Sequence, residues 1–139
     1  MSGGIVYAVD PSLSAAEFRR VLVSSGLAPR RPADDIDRLA RMLAAADLIV
    51  TARVLTPERT LVGVARVLTD FSYCAYVSDL AVDKAQQGRG IGRRLLDTVR
   101  EKVGPECSVL LTAAPGAVSF YERIGMPRVE HAFRYDKER

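Results

Sequence analysis

The chain has 139 residues, 48% of them apolar and 27% charged, a balance that fits one compact soluble domain with a core of its own. Twenty Lys and Arg against seventeen Asp and Glu leave a net charge of +3 spread along the whole chain, too weak and too mixed to argue for nucleic acid. Two cysteines and one histidine exclude a disulfide framework and a multi-histidine metal site, so no metal is expected. Met1 to Tyr7 lacks a basic leader followed by an apolar stretch, and no run approaches eighteen apolar residues. The expectation is a cytoplasmic protein with reduced thiols and no membrane partner.

Ile5 to Val9 reads as a first strand, ended by Asp10-Pro11. Ser14-Ala-Ala-Glu17 is a capping box ahead of Phe18, Val21 and Leu22, with Gly26 as the stop. Pro32-Ala-Asp34-Asp35 opens a second helix whose face carries Ile36, Leu39, Leu43 and Ala46. Leu48 to Leu55 and Thr60 to Leu68 form a hairpin about Thr56-Pro57-Glu58-Arg59, and Ser72 to Val82 is a third β-rich run. The next helix runs to Val103 with Ile91, Leu95, Leu96 and Val99 on one side, and Gly104-Pro105 ends it. Val109 to Ala113 reads as a strand, Ala117 to Ile124 as a short helix, and His131 to Tyr135 as a last edge strand. The predicted order is βααβββαβαβ in one domain, residues 1–139.

The sharpest local feature is Gln87-Gly88-Arg89-Gly90-Ile91-Gly92, set between strand Leu80-Ala81-Val82 and a helix. Amides of a first helical turn converge on an anion, and the helix dipole adds ~0.3–1 kcal/mol per nearby charge. Glycine removes the Cβ that would block a bulky anion. Neither frame delivers the dinucleotide fingerprint G-x-G-x-x-G, and the Gly-Lys-Ser/Thr of a P-loop is absent. A turn that only caps the helix is the plainer alternative. Three glycines at alternate positions, interleaved with arginine, favour a phosphate-bearing ligand.

These residues resemble the Q/R-x-x-G-x-G/A signature of the GNAT superfamily, the acyl-CoA-dependent N-acyltransferases. A second segment, Ala117-Val118-Ser119-Phe120-Tyr121-Glu122-Arg123-Ile124-Gly125-Met126, is similar to the family's A-x-x-F-Y-x-x-x-G-F, with Met in the final place. The resemblance implies a mixed, mostly antiparallel sheet flanked by about four helices, and transfer of an acetyl group from acetyl-CoA to an amine by direct attack. It implies that Leu80, Ala81 and Val82 pair with the pantetheine arm. It likewise implies that Gln87, Gly88, Arg89, Gly90, Ile91, Gly92 and Arg93 form the pyrophosphate loop. Ala114-Pro115-Gly116 stands where many members carry an Asn, and only fourteen residues follow Gly125, so the final strands must be abbreviated.

Such a transfer needs a neutral amine and a proton for the leaving thiolate. Tyr121 matches the family's tyrosine acid, against the alternative of a core aromatic beside Val118 and Ile124. Asp79, beside the cofactor strand, is the nearest carboxylate for a base, with capping a turn or pairing to an arginine as the plainer role. Tyr76 and Ser78 could instead hold a proton-carrying water. Alternation puts Asp79 and Val77 on one face unless a bulge intervenes. His131 reads as surface or packing, and Cys74 as a small buried residue. The amine acceptor, a small molecule or a peptide, stays open. So does homodimerisation through Met126 to Tyr135. The opposing class is a non-catalytic acyl-CoA-sensing module.

Overall fold

The computed structural model describes residues 4–138. Along the chain lie β1 (Ile5–Val9), α1 (Ala15–Ser25), α2 (Ile36–Ala45), β2 (Leu48–Val54), β3 (Leu61–Thr69) and β4 (Cys74–Val82). Then follow α3 (Ile91–Val103), β5 (Ser108–Leu110) and α4 (Val118–Arg123). Single 3₁₀ turns cover Ala28–Arg30, Lys84–Gln86 and Pro115–Ala117. The five strands form one sheet in the order β1-β2-β3-β4-β5; the first three pairings are antiparallel and β4–β5 is parallel. The predicted strand at His131–Tyr135 does not form. That segment is exposed chain without strand pairing, and the fold ends as βααβββαβα.

Helix ends follow the sequence signals with one exchange of partners. Ser14 Oγ accepts the Glu17 amide at 3.1 Å, and Gly26 takes φ 86° at the stop. The Glu17 carboxylate does not reach back as a capping box requires. It takes two N–H groups of Arg53 instead, at 2.7 and 3.1 Å, which ties α1 to β2 and holds the Glu17 carboxyl below its ordinary pKa. Asp35 caps α2 by accepting the Arg38 amide at 3.0 Å.

Strands β2 and β3 are buried along most of their length because helices cover both faces of the sheet. On one face α3 packs Leu95 and Val99 against Val50, Ala65, Val67 and Val77. On the other, α1 and α2 pack Phe18, Leu22 and Leu39 against Ile49, Val64 and Ala81. Two irregularities aim the sheet. The register shifts between Ala52 and Arg53, and again between Arg66 and Val67, where Arg66 faces Asp79 while Val67 faces Val77. Ser78 is therefore an extra residue in β4. Val77 joins the α3 core whereas Ala81 joins the α1–α2 core. Asp79 lies across from Val77, not beside it as plain alternation required.

Candidate active site

β4 and β5 pair only from Cys74–Ser108 to Tyr76–Leu110 and then part. Beyond Tyr76 the outer edge of β4 is open. The Asp83 amide donates to the Val62 carbonyl at 2.8 Å, so ladder alternation turns the backbone groups of Leu80 and Val82 away from β3. Two outward carbonyls are taken by side chains: Arg31 Nη2 donates to that of Ser78 at 2.7 Å, and Gln87 Nε2 to that of Val82 at 3.0 Å. Between them the N–H and C=O of Leu80 face the gap. A cavity of about 950 Å³ fills it, walled by Val77, Ser78 and Leu80 on one side and Leu111, Thr112, Ala114 and Tyr121 on the other.

The glycine loop closes one end of this edge. Gly88 and Gly90 adopt φ 83° and 77°, a region where a Cβ is costly, and a Cβ at either would meet nothing within 4 Å. Gly90 caps α3 without a side-chain bond, and the first helical bond runs from the Arg94 amide to the Gly90 carbonyl at 3.0 Å. The amides of Ile91, Gly92 and Arg93 precede it and have no intrahelical partner. The fit to a pyrophosphate is good: open approach, free amides and a dipole of the right sign. The Gln87 side-chain amide pins the loop to β4 through the Val82 carbonyl. Arg89 donates to Gln86 Oε1 and is exposed at the rim, as is Arg93.

Two expected loop residues serve packing. The Ile91 side chain is buried in the α3 core and offers the loop only its backbone. A Cβ on Gly92 would come within 2.9 Å of Phe120 Cζ, so this glycine makes room for α4. Phe120 in turn stands edge-on to the Tyr121 ring, with centroids 5.0 Å apart. The two glycine- and aromatic-bearing segments thus form a single packed unit. Ala81 is likewise buried away from the gap, while Leu80 and Val82 lean toward α3.

Tyr121 faces the cavity, and burial pushes its phenol up to about 12 against the opposing pull of Arg31. It stays protonated throughout the working range of pH. Asp79 has a different setting from an exposed base. Its side chain is fully buried, and each carboxylate oxygen takes the Nε–H of an arginine, Arg31 on Oδ1 and Arg66 on Oδ2. Arg66 Nη2 also donates to Ser78 Oγ at 2.7 Å. Asp79 is the counter-ion that holds two guanidinium groups at the cavity wall. Tyr76 donates to Thr112 Oγ1 at 3.2 Å across the mouth of the gap.

Arg31 and Arg66 were missed in the sequence. The signal for Arg66 was a lone charge inside the apolar run Leu61 to Leu68, which demands a buried partner. Nothing local pairs Arg31 with Asp79, forty-eight positions away. Cys74 is exposed, not buried, because β4 starts at the sheet's rim. His131 is exposed, and no group of His, Cys, Asp and Glu suited to a metal occurs among the described residues. No helix among them is long and apolar enough to cross a membrane.

Comparison with known proteins agrees with this geometry. The family model described as an acetyltransferase (GNAT) domain matches residues 34–137. Among solved structures, a Deinococcus radiodurans R1 protein is 24% identical with a TM-score of 0.73, covering 97% of this chain and 93% of its own. A ribosomal-protein-alanine N-acetyltransferase from Brucella melitensis biovar Abortus 2308 is 20% identical with a TM-score of 0.68, over 96% and 99%. An aminoglycoside N-acetyltransferase solved in complex with CoA is 14% identical with a TM-score of 0.73, over 99% and 97%.

Proposed function

Because the chain belongs to the GNAT acetyltransferase family, we propose that it transfers the acetyl group of acetyl-CoA to an amine by direct attack in a ternary complex. The observation that carries this reading is the parted edge of β4 ending in an uncapped helix N-terminus, with Tyr121 on the facing wall. Acetyl-CoA supplies an acyl group already activated as a thioester. The N–H and C=O of Leu80 hold an extended amide-bearing chain as a further strand would. The amides of Ile91, Gly92 and Arg93 hold a pyrophosphate, with Gly88 and Gly90 keeping the approach clear.

Tyr121 donates a hydrogen bond to the departing sulfur. Its phenol near 12 lies more than three units above an ordinary thiol of about 8.5, so full proton transfer runs uphill by roughly 5 kcal/mol. Hydrogen bonding to a developing thiolate inside a partly desolvated cavity is the effective contribution. Asp79 positions Arg31 and Arg66 and takes no proton. The amine loses its proton to water, and the arginines at the wall favour its neutral form by like-charge repulsion.

The test is Tyr121→Phe, followed by thiol release from acetyl-CoA and by calorimetry. Turnover should fall about 10²-fold with acetyl-CoA affinity kept. In the wild type, kcat/KM should rise through the amine pKa and show no fall up to pH 10. Unchanged turnover in the variant would favour the rival reading, a module that binds acyl-CoA without catalysis.

A further inference from the structure

The charge of the cavity narrows the acceptor. Among the described residues, six cationic side chains line it: Arg30, Arg31, Arg38, Arg66, Arg134 and Lys137. Against them stand Asp34 and Asp136 in the lining and Asp79 directly behind. Among the described residues, cations thus outnumber carboxylates around this one cavity.

The innermost part of that surplus is built, not incidental. Arg31 and Arg66 share a single carboxylate, and their side chains are only 21% and 7% exposed. Among the described residues, one positive charge at the wall is therefore left without a counter-charge where solvent screens poorly. Arg31 spends three of its five N–H donors, on Asp79, on the Arg30 carbonyl at 2.8 Å and on the Ser78 carbonyl at 2.7 Å. Two donors of a fixed planar fork remain, on a residue that lines the cavity together with Tyr121.

The pyrophosphate cannot be the partner of this charge. Ser78 and the loop-anchoring Val82 are four residues apart on an extended strand, about 13 Å. An anion on Arg31 is a second anion, on the acceptor side of the cavity.

We propose that the acceptor is an amine carrying an anionic group, a carboxylate or a phosphate, which seats on Arg31 with Arg30 and Lys137 adding charge at the rim. This rests on the acetyl-transfer reading above and names its substrate class. A polyamine or other polycation meets repulsion at every approach to the same wall.

Matched probes test it on the full chain. β-Alanine is compared with β-alaninamide, and 2-aminoethyl phosphate with ethanolamine, with spermidine as the polycation. Each is followed by thermal melting and by thiol release at saturating acetyl-CoA. The expected result is that the anionic member of a pair raises the melting temperature or turns over at least tenfold better in kcat/KM. Arg30→Glu and Lys137→Glu, both on exposed residues, should remove that preference with the KM for acetyl-CoA unchanged. A response confined to the carboxylate pair or to the phosphate pair identifies which anion is meant.

Equal or better response to β-alaninamide, ethanolamine or spermidine overturns the proposal and leaves acetyl transfer standing. So does the failure of every anionic probe to shift melting or turn over. If acetyl-CoA itself fails to bind, the acetyl-transfer reading falls. The anion site is then judged by the melting shifts alone, which Arg30→Glu must abolish for it to survive.

Discussion

Replacing Asp79 by Asn separates its two readings, because a buried counter-ion and a catalytic base fail in different ways. The side chain is fully buried, and its oxygens bind Arg31 and Arg66, whose own side chains are 21% and 7% exposed. Asn keeps the size but removes the charge, and its amide NH₂ points a donor at a guanidinium that can only donate. Two cations then share the wall with no anion between them. Breaking a buried ion pair by removing one partner costs about 3–5 kcal/mol. A chain of 139 residues should then melt roughly 10–20 °C lower. Urea unfolding measures the free energy, and a cycle with Arg31→Met apportions it. The double variant should recover part of the loss, since it removes one unpaired charge, and coupling should exceed about 1 kcal/mol. Arg66→Met is the stricter partner because Arg66 is the more buried. Wild-type stability in Asp79→Asn, with turnover lost and acetyl-CoA still bound, would refute the counter-ion reading and restore Asp79 as the base.

Gly90→Asp should abolish acetyl-CoA binding, because a carboxylate at the α3 N-terminus takes the place of the incoming anion; Gly90→Asn bears the same backbone strain at φ 77° and should bind at least tenfold better than Asp in calorimetry. Gly92→Ala pushes on Phe120, whose Cζ would lie 2.9 Å from the new Cβ. Stability should change by no more than about 1–2 kcal/mol, helix propensity offsetting strain, while kcat falls on the order of tenfold as Tyr121 is displaced, and an unchanged kcat would break the link between the two segments. Tyr121 keeps its proton more tightly folded than unfolded, so its contribution is full below pH 10 and lost as pH rises from 10 to about 12. Tyr121→Phe should remove that part of alkaline unfolding, read as tyrosinate absorbance against fluorescence. Phe133 and Tyr135 are almost wholly exposed on the C-terminal segment, so light scattering at micromolar concentration should show a dimer that Phe133→Asp weakens; a monomeric wild type would remove that interface.

Local chemistry was enough for much of this protein. Ser14 and Gly26 bound α1, Asp35 opens α2, and Ile91, Leu95, Leu96, Val99 and Val103 recur at helical spacing, so propensity, capping and period agree with the fold. The glycine loop was legible for the same reason: a positive φ and an uncapped helix start are properties of a few consecutive residues. What the sequence could not decide depends on register. A one-residue bulge at Ser78 exchanges the faces of β4, and no composition marks it, because a strand's alternation reads the same with its extra residue unplaced. That single slip puts Asp79 between Arg31 and Arg66, residues forty-eight and thirteen positions away. It pairs the candidate base with two arginines and sets their guanidinium groups at the cavity wall. The C-terminal segment shows the converse. His131 to Tyr135 has the residues of a strand, yet a strand needs a partner edge, and β5 pairs for only three residues before the sheet parts. Propensity belongs to the segment; pairing belongs to the sheet.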